Sequence, residues 1–119
     1  MSESKKLGKK GEDLAVAFLE NKGYHIVARN WRYLKAEIDI IAEIDSFLVF
    51  VEVKTRSSTD FGLPQEFFKN DQMRRIVTAA DAFIEKFQRK EEARFDIVAI
   101  SIKKAEPDIH HIERAFYTF

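Results

Sequence analysis

The chain contains no cysteine. This excludes a disulfide framework, a thiolate zinc cluster and a cysteine nucleophile, and it accords with a reducing compartment, so the expected location is the cytoplasm. Glycine and proline are scarce, four and two in 119 residues, and no repeat or low-complexity tract is present, which leaves little room for a flexible linker. No apolar run approaches the roughly 20 residues of a membrane span, and the N-terminus lacks the apolar segment of a signal peptide, so no membrane partner is expected. An excess of charge is missing too: 20 basic and 20 acidic residues balance to a net charge of zero. Binding to a polyanion must therefore come from local patches rather than from a global field.

What is present fits one domain over residues 1–119, with residues 1–6 expected to form a flexible basic N-terminus. Apolar positions Leu7, Leu14, Phe18 and Leu19 share one side of a helix from about Leu7 to Lys22, with Gly23 as its stop. Tyr24 to Trp31, Ala36 to Ala42 and Phe47 to Lys54 read as strands, the last two as a hairpin. Thr55 to Asn70 reads as an exposed loop. Met73, Ile76, Val77, Ala80, Phe83, Ile84 and Phe87 mark an amphipathic second helix whose stripe packs in the core. Arg94 to Ile102 and Ile109 to Phe116 are two further strands, the last at an edge. The order α-β-β-β-α-β-β predicts an α/β fold with a central mixed sheet covered by helices.

One strand carries more charge than packing requires. Glu52 and Lys54 share a face, while Phe47, Val49, Val51 and Val53 line the other. If Asp45 and Ser46 form a two-residue loop, the hairpin register sets Asp39 opposite Glu52 and Glu37 opposite Lys54. A three-residue loop would move Asp39 to the other face. Two carboxylates directly opposed destabilise a ladder by up to about 1 kcal/mol, so a compensating cation is expected: Lys54, or a divalent metal. Glu12, bordering the apolar face of the first helix, can reach the same place, and Gly11 beside it permits close approach to another element. Singly, each residue also suits a solvated surface or a salt bridge. Together they suit a metal and water site, with Lys54 placed to orient water or to stabilise charge on a phosphate.

Gly11-Glu12, Arg29-Asn30-Trp31-Arg32, Glu37-Ile38-Asp39, Phe50-Val51-Glu52-Val53-Lys54-Thr55-Arg56, Phe61-Gly62 with Pro64, Arg94-Phe95-Asp96 and Ala115-Phe116 together resemble the bacterial YraN family. The resemblance runs from about Leu7 to the C-terminus. It implies the restriction-endonuclease-like PD-(D/E)xK fold, similar to archaeal Holliday junction resolvases, and endonuclease activity. It further implies Asp39, Glu52 and the Val53 carbonyl as ligands of magnesium or manganese, Glu12 as a ligand directly or through water, and Lys54 as the catalytic lysine. Three departures stand out: Ala36 where the family has Gly, Gln72 where it has Lys, and Arg114 where it has Asn. Gln72 remains a candidate hydrogen-bond donor to the site.

Two basic groups are candidate phosphate contacts. Lys5, Lys6, Lys9 and Lys10 surround the start of the first helix, and Lys69, Arg74 and Arg75 that of the second, with Arg56 directly after the charged strand. Tyr33 and Phe61 are candidates for base stacking, with turn or core packing as the plainer role. His25, His110 and His111 lack metal-ligand spacing, and His111 matches a position where the family often has His. The expected partner is nucleic acid, DNA in the first instance, and the resolvase analogy implies a homodimer. The leading expectation is a divalent-metal-dependent endonuclease acting on structured or branched DNA. The alternatives are a nucleic-acid-binding protein that keeps a nuclease fold without catalysis, and a protein-interaction domain using the sheet edge.

Overall fold

The computed structural model describes residues 3–57, 70–102 and 105–116. Its elements are α1 (Glu3–Asn21), β1 (His25–Tyr33), β2 (Ala36–Ile44), β3 (Phe47–Arg56), α2 (Asn70–Lys86), β4 (Glu92–Ser101) and β5 (Asp108–Phe116), in the order expected. The strands form one mixed sheet, β1-β2-β3-β4-β5, in which β3 and β4 run parallel and the other pairs antiparallel. A parallel pair needs a crossover, and the segment containing α2 supplies it. No helix among the described residues is long and apolar enough to cross a membrane.

Alternation along β3 divides the core into two layers. Val49 and Val51 pack with Ala15 and Leu19 of α1, and Leu48 and Phe50 pack with Ile76, Ala80 and Phe83 of α2. α1 begins at Glu3, so Lys5 and Lys6 are helical rather than part of a loose terminus. It ends as its sequence suggests, with Gly23 at φ 96° and the Tyr24 N–H donating to the Leu19 carbonyl at 3.0 Å. The apolar periodicity of the second helix outruns it: Phe87 lies one residue past Lys86 and is half exposed, just before Gln88 turns left-handed at φ 54°.

β4 carries a buried charge cluster beneath the C-terminal end of α1. The Asp96 carboxylate accepts from Arg94 Nε at 3.0 Å and Nη2 at 2.9 Å, from His111 Nε2 at 2.7 Å and from the Arg114 N–H at 3.1 Å. Lys22 Nζ, which can only donate, reaches His111 Nδ1 at 2.7 Å, so the proton that His111 gives to Asp96 sits on Nε2. Arg94 also donates to the Tyr24 hydroxyl at 2.5 Å. The cluster ties α1, β4 and β5 together. Arg114, where the family resemblance led to an Asn, has φ 52°, a region that Asn tolerates better than most residues.

Candidate functional site in a fork of the sheet

The two-residue loop Asp45-Ser46 is present, and the register it dictates holds from Ile44↔Phe47 to Ile40↔Val51. There the pairing of β2 with β3 stops, although β2 continues along β1 to Ala36↔Tyr33 and β3 along β4 to Arg56↔Ser101. The sheet forks. Asp39 and Glu52, the next residues in register, stand where the two strands part. In place of the next ladder contact, the Val53 N–H donates to Asp39 Oδ2 at 2.8 Å. An extended residue directs its N–H and C=O to the same side, so the Val53 carbonyl faces the fork as well.

The fork coincides with a break in alternation. Ile40 packs in the α1 layer, but Ile38, two residues away, packs in the α2 layer. Across from this break Asn30 adopts φ 52°, and β1 changes layers with it: Arg29 reaches α1, whereas Trp31 packs toward α2. Asp39 is thereby turned toward α1, where it lines a depression of about 270 Å³ with Leu7, Gly8, Glu12, Val53 and Thr55.

Glu12 is held in place by two side chains of β1. Asn30 Nδ2 donates to it at 2.9 Å and to Glu37 at 3.0 Å, and Arg29 donates to it from Nη2 at 3.0 Å and to Asp13 at 2.7 Å. Gly11 lets the helix come this close: a Cβ there would lie 1.9 Å from Thr55 Oγ1. Gly11→Ala must therefore push α1 away from β3, and it is expected to destabilise the fold by about 1–3 kcal/mol in denaturant titrations. Gly8→Ala is the control. An added Cβ at Gly8 meets nothing within 4 Å, so helix propensity alone should make that variant as stable as the wild type or slightly more.

The electrostatics of the fork are unfavourable to the protein alone. Burial pushes Asp39 up to about 6, against the pull of the Val53 N–H, and the charges of Glu12 and Glu37 add to the rise. Glu52 is driven well above the carboxylate range, first by burial and then by Asp39, with Lys54 acting in the opposite direction. Glu52 Oε1 is buried without a hydrogen-bond partner. A buried, unpaired carboxylate oxygen beside a second carboxylate is a costly arrangement with no packing benefit. Among the described residues no three His, Asp or Glu side chains form a ready-made metal cluster. The donors of the fork are two carboxylates and a carbonyl, a hard oxygen set of the kind that binds magnesium, which keeps several of its waters and takes only one or two carboxylates from a protein.

The remaining residues named from sequence surround the fork rather than enter it. Lys5, Lys6, Lys9 and Lys10 are exposed on the first turns of α1, next to Leu7 and Gly8 of the depression, and Lys9 pairs with Asp13 at 3.7 Å. Arg56 is exposed at the end of β3, its guanidinium donating to the Thr55 carbonyl at 3.0 Å. Gln72 lines a second depression of about 260 Å³ with Lys35, Glu37 and Arg75, while Arg74 is exposed on α2. Lys69, Phe61, Gly62 and Pro64 lie outside the described residues. Of the histidines, His111 belongs to the Asp96 cluster, and His110 is exposed beside Asp108. Asn30 and Arg29, which position Glu12, were not singled out as site residues from sequence. The available signal was an Asn inside a strand, a residue that tolerates the left-handed region.

Residues 11–100 match the model of a family described as "Uncharacterised protein family UPF0102". The chain is 50% identical over 119 residues, all of both chains, to a UPF0102 protein of Flavobacterium psychrophilum. It is 49% identical over 117 residues to one of Bacteroides fragilis, covering 98% of this chain and 97% of that one. A UPF0102 protein of Prosthecochloris aestuarii is 43% identical over 118 residues, with 93% of each covered.

Proposed function

The chain belongs to the UPF0102 family, whose description names no activity, and from the chemistry of the fork we propose that it is a divalent-metal-dependent endonuclease acting on structured or branched DNA in the cytoplasm. The observation that carries this reading is the unpaired Glu52 Oε1 beside Asp39 at the point where the sheet opens. Two adjoining acids with raised proton affinities, one with an orphaned oxygen, form a poor structural feature and a good cation site. The resemblance to the YraN family, carried by the string from Phe50 to Arg56, supports the same assignment.

Asp39, Glu52 and the Val53 carbonyl would hold magnesium or manganese, with Glu12 contributing directly or through water. A cation bound there would polarise a phosphate oxygen and make bound water more acidic. Lys54 follows Glu52 by two residues on the same strand, and its ammonium would hold an attacking water or offset charge building on the phosphate. Asn30 and Arg29 fix Glu12 and keep its carboxylate in one orientation. The lysines of α1 beside the depression and Arg56 beyond Lys54 supply contacts for the flanking phosphates.

Incubating the protein with flapped, forked and four-way DNA in magnesium or manganese should give nicks that EDTA prevents. Binding across the whole panel with no cleavage under either metal would instead favour the non-catalytic nucleic-acid-binding reading. Absence of salt-dependent binding would exclude both.

A further inference from the structure

A separate cleft opens beside the fork, between the β1–β2 turn and α2. It has a volume of about 470 Å³ and is lined by the turn residues Tyr33, Leu34, Lys35 and Ala36 and by Arg74, Arg75 and Thr78 of α2. The aromatic ring in its lining is Tyr33. Phe83 meets Trp31 edge to face at 5.3 Å, and Trp31 is stacked on Tyr33 at 6.1 Å with their planes 2° apart, so the series ends in a ring that is 38% exposed. Its rim is cationic, with Lys35, Arg74 and Arg75 all exposed.

Leu34 is the residue that folding does not account for. It occupies the first position of a two-residue hairpin loop at φ 55°, where Asn or Gly would be unstrained, and its side chain is 82% exposed. Backbone strain costs stability at this position, and the exposed side chain returns none through burial. What the residue provides is an apolar wall beside an aromatic ring and three cations. That combination suits a nucleobase, which stacks through its face, and the phosphate attached to it.

The cleft adjoins a second depression, which hydrogen bonds through Asn30 connect to Glu12 of the proposed active site. Lys35, Ala36 and Arg75 also line the depression that contains Glu37, and Glu37 shares the Asn30 side chain with Glu12. We infer that the cleft is a docking site for an unpaired nucleotide, flanking the fork, so that the preferred substrate carries a single-stranded segment next to the bond that is cut. The nuclease reading is used here only to identify the ligand as nucleic acid.

Trp31 is the sole tryptophan and stacks directly on Tyr33, so its fluorescence reports occupancy of the cleft. The test titrates a 15-nucleotide thymidine strand, and a blunt duplex of the same length, into the protein in EDTA, where no cleavage occurs. The single strand should bind more tightly than the duplex and change the Trp31 signal. Tyr33→Ser should weaken that binding about tenfold, the scale of one lost stacking contact. Leu34→Gly should weaken it as well while melting at a higher temperature than the wild type, a combination that a merely structural leucine would not give.

Equal affinity for strand and duplex, or wild-type binding by both cleft variants, would overturn the inference. So would a wild-type dimer in sedimentation that Leu34→Gly converts to monomer, since a second copy would then be the occupant. If the binding pattern holds but no DNA is ever cut, the nuclease reading fails and the cleft assignment stands.

Discussion

Asp96→Asn is expected to destabilise the protein by about 3–5 kcal/mol, the scale found when one partner of a buried ion pair is removed. The Asp96 side chain is fully buried, Arg94 beside it is 6% exposed, and His111 and the Arg114 N–H also donate to the carboxylate. Burial alone would raise the proton affinity of Asp96. The hydrogen bonds from His111, Arg94 and the Arg114 N–H outweigh burial and hold the group below the ordinary carboxylate value. Its contribution to stability is therefore complete above the unfolded value, near pH 4, and disappears as the pH falls through the lower folded value. Denaturant titrations at pH 7 give the first number. Repeating them toward pH 3 should shrink the gap between wild type and variant. A loss below about 1 kcal/mol at pH 7 would mean that the cluster is dispensable.

Lys54→Ala is expected to lower cleavage by about 10²–10³-fold, the effect of removing one well-placed electrostatic group from a transition state. Manganese binding should survive the change, because Lys54 is not among the oxygen donors of the fork. The contrast separates a lysine that acts on the phosphate or the water from one that only balances the carboxylates. If the alanine variant cleaves at the wild-type rate, the role assigned to Lys54 is wrong. If it also loses metal binding, its role is to organise the carboxylates instead.

The parts of the fold that follow local rules were legible in the sequence. The stripe from Met73 to Ile84 reads directly as a buried helix face, and Asp45-Ser46, with φ 52° at Asp45, fixes the β2–β3 register as a two-residue turn does. Gly11 was legible as a place of close approach, although its partner, Thr55, required the structure. The fork itself was not legible. Strict alternation sets Asp39 opposite Glu52 in a continued ladder, but the strands part after Ile40↔Val51, and the change of layer at Asn30 turns Asp39 toward α1. The Asn inside β1 is the one local hint of that change, and the anchoring of α1 above the strands through Glu12 and Arg29 has no local signal at all. Buried charge misleads in a similar way: Arg94 and Asp96 interrupt an otherwise apolar strand, and only the arrival of His111 and Lys22 from distant segments shows how they are satisfied.

The two buried acids of the sheet therefore differ in kind. Asp96 is surrounded by donors, whereas Glu52 has a bare oxygen and a like-charged neighbour. Folding raises the proton affinity of Glu52, so its charge costs the folded state progressively more as the pH climbs above the unfolded carboxylate value, and Glu52→Gln should relieve that cost at pH 8. A metal that binds only the folded protein stabilises it by mass action. The decisive measurement is a manganese titration at pH 8, following the melting temperature of the wild type and of Glu52→Gln. The wild type should rise saturably with manganese, and the Gln variant should start higher and stay flat. Equal responses from both proteins, or none from the wild type, would contradict the assignment of the fork as a metal site.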